Sequence, residues 1–447
     1  MDFSLWTNPF AAVREKTAKP PSAPAMAIPD PFPLLSRNPP PAKGLLRGPR
    51  SPRPRRGRSG VALGHGDSPP PLFVGFTRNW PQLLQCVVSY IAAGWPAENI
   101  YVVENTGVMF ANQQGKLTLQ NPFYLNHTQL AMLGVKVIIT PTLLTFSQLQ
   151  NFYLHTALDR SHPYFFWTHQ DLLVFSDEHA TGTGGSLYDR AIRALRDLTT
   201  TTPTKHPQQD QDQPEQNQKT KKWAHHFFAY DHLTLVNRDA VLSVGGWDTH
   251  IPYYASDCDT YLRLMWADFS QRESSIGLIL DVGSVLADVG ALLRIRGIRA
   301  RVLPSGMPAV SRPGEGEGEG EGEGEMEEEK DQEEIEREEA NYVESWERLV
   351  ELGLQMQEDK YADGNAGRNT WQAKQRGGKG EPFYRDADGF EKGVKMWIDG
   401  GRGVFAEKWG HRGCGLISMG VKGEDAWRLE RDWDEETEGF GWEGDGW

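Results

Sequence analysis

The chain has 447 residues, 38% of them hydrophobic and 24% charged, with a formal net charge of −14 that argues against general affinity for nucleic acid. Cys86, Cys258 and Cys414 are too few and too scattered for a disulfide framework, and no CxxC pair suggests structural zinc, so buried or free thiols are expected. No apolar run reaches the roughly 18–20 residues of a transmembrane helix; the nearest, Ile276 to Leu293, is broken by Asp281 and Asp288.

Residues 1–71 are rich in proline and arginine, show no helical or strand period, and read as a disordered tail. From Leu72 the texture changes to short apolar runs separated by helical patterns, which defines a catalytic unit over 72–312. Leu72 to Phe76, Ile100 to Val103, Val135 to Ile139 and Tyr164 to Trp167 read as strands. Pro81 to Ala93 and Phe146 to Asp159 read as helices between them. Helical crossovers predict an α/β fold with a mostly parallel sheet, whose ligands bind at the carboxyl ends of the strands.

Leu187 to Leu198 reads as an amphipathic helix and 199–222 as an exposed low-complexity insertion. The fold resumes with strand character over His226 to Val236 and a helix over Asp257 to Ala267 that has an acidic first turn. Residues 313–340 form a Gly- and Glu-rich linker. A C-terminal part of the catalytic unit spans 341–422, with an amphipathic helix over Tyr342 to Leu354 and a less clear pattern over Phe390 to Trp397. The end, 423–447, reads as a mobile acidic tail.

Three constellations fall where the strand rule puts ligands. Thr77, Arg78 and Asn79 follow the first strand, and Glu104 and Asn105 follow the second. A carboxylate there can accept from ribose hydroxyls or a base N–H, and an arginine can face phosphate. His169, Gln170 and Asp171 leave the apolar YFFWT strand, and an H-x-D pair suits a divalent cation that also holds a diphosphate. In the third, Gly245 and Gly246 permit a tight turn, Trp247 offers a ring on which a sugar can stack, and Asp257 and Asp259 enter a helix start together. The bland alternatives are polar loop ends, a surface histidine and ordinary N-terminal helix charges.

Taken together, Val244-Gly245-Gly246-Trp247-Asp248, then Ser256-Asp257-Cys258-Asp259 and Arg263, set after His169-Gln170-Asp171, resemble the GT-A-fold, family 2-like glycosyltransferases over Trp80 to Phe269. The resemblance implies a transferase that moves a sugar from a nucleotide-diphosphate donor to a glycan, glycolipid or glycoprotein acceptor. It implies Mn2+ or Mg2+ as cofactor, held by His169 and Asp171. Asp257 would be the general base, with Asp259 beside it. Glu104, Asn105 and the Thr77 loop would hold the donor, Trp247 and Asp248 would face the acceptor, and Lys408 and His411 would neutralise the leaving diphosphate. Two positions depart from the pattern: His169 stands for the first aspartate of DxD, and Ser256 for the glutamate before Asp257. The competing expectation is a non-catalytic nucleotide-sugar or glycan-binding module. The resemblance points to the Golgi or secretory pathway, as does the weak signal of the Asn126-His127-Thr128 sequon; the lack of an anchor points to the cytoplasm.

Overall fold

A computed structural model describes residues 69–179, 185–200, 222–303, 341–362 and 376–433. The tail through residue 68, residues 201–221 of the insertion, the acidic linker and residues 434–447 of the C-terminal tail lie outside the described residues.

The first half alternates as its hydrophobic pattern requires. Strands β1 (Leu72–Phe76), β2 (Ile100–Glu104), β3 (Lys136–Ile139) and β4 (Tyr164–Thr168) are separated by helices α1 (Trp80–Ala92), α2 (His127–Leu133) and α3 (Phe146–Asp159). β1 pairs in parallel with β2 and β4, and β2 with β3. Residues of β1, β2 and β4 are buried on both faces, which is why these strands read as unbroken apolar runs rather than as alternation.

The strand character over 226–236 belongs to two strands. They contribute to a hairpin of β6 (Lys222–Ala229) and β7 (Leu233–Asn237), turned at Tyr230 to His232, where Asp231 takes a left-handed φ of 57°. Aspartate tolerates that conformation in turns, and a buried hairpin can otherwise pass for one long strand. Two further strands, β5 (Leu172–Phe175) and β9 (Leu278–Asp281), form a separate antiparallel pair. With β8 (Phe269–Glu273), the main sheet has the order β3-β2-β1-β4-β7-β6-β8 and is mixed but mostly parallel.

The sheet is covered on both faces. Helix α1 and α4 (Leu187–Thr199) bury Leu83, Val87, Ile192 and Leu195 with Val74, Phe166 and Leu235. On the opposite face α3, α5 (Arg238–Ser243) and α6 (Ser256–Trp266) enclose Phe73, Phe165, Trp167 and Val236. Helix α7 (Trp346–Tyr361) packs Leu349 and Met356 against Leu173, Phe175 and Leu280 of the β5–β9 pair. It starts later than expected because Ser345 is its cap, accepting from the Arg348 N–H at 3.1 Å.

The obscure stretch around Phe390 to Trp397 lies inside a long helix, α8 (Ala387–Trp409). Its glycines lower helix propensity, yet Gly401 is needed: a Cβ there would lie 2.6 Å from Pro252 Cδ. Phe405 and Trp409 pack on Ile251 and Leu262 of the α6 region. The expectation of free thiols fails at two positions, since Cys258 of α6 is bonded to Cys414 beyond α8 across 156 residues; Cys86 is buried and free. Residues 423–433, expected to be mobile, fold back on α8, with the Trp427 N–H donating to Lys408 O at 2.7 Å and the Asp432 N–H to Gly410 O at 3.1 Å.

Candidate active site

The loops that follow β1, β2 and β4 meet at one edge of the sheet, and Gln170 fastens two of them. Its Oε1 accepts from the Thr77 N–H at 3.1 Å, and its amide donates to the Arg78 carbonyl. Asn79 sits at the start of α1 with φ of 67° and donates to Gln82 Oε1 at 2.9 Å. Arg78 is buried within electrostatic reach of Tyr253, Asp171 and Glu391. Burial lowers its pKa, and Tyr253, Asp171 and Glu391 oppose the shift.

Glu104 ends β2 with its carboxylate held by neighbours. Oε1 accepts from Asn112 Nδ2 and Oε2 meets His127 Nε2, both at 2.7 Å. Asn105 bridges to the Leu144 backbone, donating to its carbonyl at 2.8 Å and accepting from its N–H at 2.7 Å. Both residues therefore shape the loops, and Asn105 has its amide committed to backbone.

At the exit of β4, Asp171 accepts from Lys360 Nζ at 2.7 Å, and the same ammonium is ion-paired with Asp281. Burial pushes the Asp171 carboxyl up, but Lys360 and His169 outweigh it and hold it below its ordinary range. His169 Nε2 is buried with no hydrogen-bond partner among the described residues. Its ring lies 5.4 Å from Trp167 and 6.1 Å from His232, whose pKa burial lowers to about 4. The expected divalent cation does not fit this arrangement. Among the described residues no three His, Cys, Asp or Glu side chains converge as metal ligands, and the Asp171 carboxylate meets an ammonium instead.

The two aspartates of α6 part company. Asp259 is fully buried and accepts from Arg263 Nε at 2.8 Å and Trp409 Nε1 at 3.1 Å, with Lys408 Nζ at 2.7 Å. Asp257, half-buried in the first turn, is hydrogen-bonded by the backbone N–H groups of the helix start, and burial pushes its carboxyl up. Tyr230 and Tyr261 lie within its field.

Arg263 also donates to the Val244 carbonyl at 2.6 Å and the Gly246 carbonyl at 2.8 Å, which ties the glycine turn to α6. Trp247 is buried edge-on against Phe146 and Tyr261, so its ring offers no face to a sugar. Asp248 accepts from Lys408 at 2.7 Å, and Lys408 is itself buried. His411 is paired with Asp432. Lys408 thus ties α8 to Asp248 and to Asp259 of α6, and His411 ties the end of α8 to the C-terminal segment.

The turn between β6 and β7, which no glycine or proline marks in the sequence, joins both halves of the site. His232 faces His169 and lies in the field of Asp171 and Asp281, while Tyr230 and Asp231 stand beside Tyr261 and Asp257. Asp281, which the sequence marks only as a break in an apolar run, Lys360 and Tyr361 join the site through space, and the Tyr361 hydroxyl donates to Asp281 Oδ2. Trp167 Nε1 of β4, Thr234 Oγ1 of β7 and Ser256 Oγ at the start of α6 are buried without partners among the described residues.

No protein-family model matches this chain, and no curated protein matches it.

Proposed function

We propose that the protein is a glycosyltransferase that moves a sugar from a nucleoside-diphosphate donor to a hydroxyl acceptor, with Asp257 as general base. The observation that carries this reading is the contrast on α6. Asp259 is fully buried and paired with cations, whereas Asp257 is raised in pKa by burial and faces tyrosines rather than a basic side chain. A carboxylate with a raised pKa is a stronger base while it remains ionised, which is what proton removal from a sugar hydroxyl needs.

In the reaction Asp257 takes the acceptor proton as the hydroxyl oxygen attacks the anomeric carbon. The bond from that carbon to the diphosphate breaks, and its electron pair leaves with the nucleoside diphosphate. The loops after β1, β2 and β4 surround the donor, as the strand-end rule requires, and Arg78 supplies positive potential near Asp171. The acceptor class is a glycan, glycolipid or glycoprotein. The Cys258–Cys414 bond supports an oxidising compartment, since such bonds persist in secretory rather than cytosolic surroundings.

The test is Asp257→Asn, assayed by release of nucleoside diphosphate from the donor with water as acceptor. Turnover falls by about 10²–10⁴-fold, the usual worth of a general base, while donor affinity is kept. Wild-type turnover in a folded Asp257→Asn protein sinks the assignment. Donor binding without turnover in the wild type favours a binding module instead.

A further inference from the structure

The cluster at the start of β5 carries an inference that rests on the transferase reading and deepens it. Asp171 precedes β5, and Asp281 ends β9 in register with Leu172, so the sheet pairing itself brings two carboxylates together. Lys360, in the last turn of α7, closes the cluster. Its Nζ lies 2.7 Å from Asp171 Oδ2 and is ion-paired with Asp281 Oδ1, and its side chain is 8% exposed. The arrangement is braced from α7 at two more points: Gln357 Oε1 accepts from the Asp281 N–H at 3.2 Å, and Tyr361 donates to Asp281 Oδ2. The C-terminal end of a helix favours a cation, so α7 places its lysine where its own dipole supports it.

We infer that the Lys360 ammonium is the resident cation of the donor site and takes the place that a divalent metal would hold at Asp171. An ammonium has three donors, and two are engaged by Asp171 and Asp281. On this inference the third donates to a diphosphate oxygen. A metal bound at Asp171 would have to displace Lys360 and leave a buried ammonium short of its counterions, which is unfavourable. His169 stands where the DxD pattern has its first aspartate, which leaves one oxygen ligand fewer for a hard cation such as Mg2+. Donor binding is therefore independent of added metal.

The test is isothermal titration calorimetry of the full chain with UDP, GDP and CDP, each in EDTA and in Mn2+, on the wild type, Lys360→Met and Lys360→Arg. One nucleotide binds the wild type with the same affinity in both buffers. In EDTA, Lys360→Met binds it roughly tenfold to a hundredfold more weakly, the worth of a hydrogen bond to a charged group, and Lys360→Arg keeps most of the affinity. Mn2+ restores binding to Lys360→Met, because Asp171 and Asp281 are then free for the metal. Wild-type binding that requires Mn2+ overturns the inference, as does a folded Lys360→Met protein with unchanged affinity in EDTA. The wild-type arms decide the matter alone if Lys360→Met does not fold. Absence of binding by any nucleotide in either buffer is a different failure: it removes the transferase reading and this inference with it.

Discussion

Asp257 and Asp259 stand two residues apart in the first turn of one helix, and neighbouring groups give them opposite roles. Asp259 anchors α8 through Lys408 and Trp409, and Asp257 keeps a carboxylate that no side-chain cation holds among the contacts described. A second residue-scale contrast concerns His225, fully buried on β6 with both ring nitrogens lacking partners among the described residues. Burial lowers its pKa to about 3, while the unfolded chain protonates it near 6.5. The unfolded state then binds the extra proton first, so the stability from keeping His225 neutral is present above about pH 6.5 and is lost as pH falls towards 3. We expect His225→Leu to remove up to about 1.4 kcal/mol per pH unit of that loss, measured by urea denaturation across the window. An unchanged slope would mean that His225 gains a partner as the pH falls.

Residue identity also sets the glycine turn. Gly246 has φ of 77°, and a Cβ there would lie 2.7 Å from Asn151 Oδ1, the atom that accepts from the Trp247 N–H. Gly246→Ala is expected to destabilise the fold by about 1–2 kcal/mol through the left-handed backbone alone. Thermal unfolding reads the loss, and unchanged stability would show that the turn relaxes elsewhere.

At the scale of elements, α6 is held from three sides: by Arg263 to the glycine turn, by Lys408 and Trp409 of α8, and by the Cys258–Cys414 bond. The bond closes a long segment of chain, so its removal is expected to lower stability by about 2–5 kcal/mol. Cys258→Ser with Cys414→Ser, compared with the wild type with and without reductant, gives the measurement; insensitivity of the wild type to reductant would count against the bond.

Much of the first half, from β1 to β4, was legible because its strands are continuous apolar runs and its helices carry a 3.6-residue period. Leu72–Phe76 and Phe146–Asp159 fall where that pattern puts them. The hairpin over 222–237 was not, because Asp231 supplies its turn without a glycine or proline to mark it. Helix α8 was hidden by its glycines, and the disulfide by the separation of its cysteines, since pairing is decided by proximity in space. The site divides in the same way. The positions of Asp171 and Asp257 follow from a strand end and a helix start, but the neighbours that distinguish Asp257 from Asp259, or give Asp171 a lysine, arrive from distant helices.

At the scale of the whole molecule, a mostly parallel sheet presents the loops after β1, β2 and β4 at one edge, and the β6–β7 turn carries that edge to α6. Helices α7 and α8, both from beyond the acidic linker, complete it: α7 brings Lys360 to Asp171, and α8 brings Lys408 to Asp248 and Asp259. Helix α8 also reaches the loops after β1 and β2, where Glu391 lies within electrostatic reach of Arg78 and Phe390 packs on Phe123. Among the described residues no helix is long and apolar enough to cross a membrane.

The most direct measurement of the central claim is nucleoside-diphosphate release by the purified chain from a panel of UDP-, GDP- and CDP-sugars. The account predicts that donors of one nucleotide class are cleaved and that the same nucleotide raises the melting temperature, as a ligand of the native state must. A folded protein that releases nucleoside diphosphate from none of them, and is stabilised by none, would contradict it.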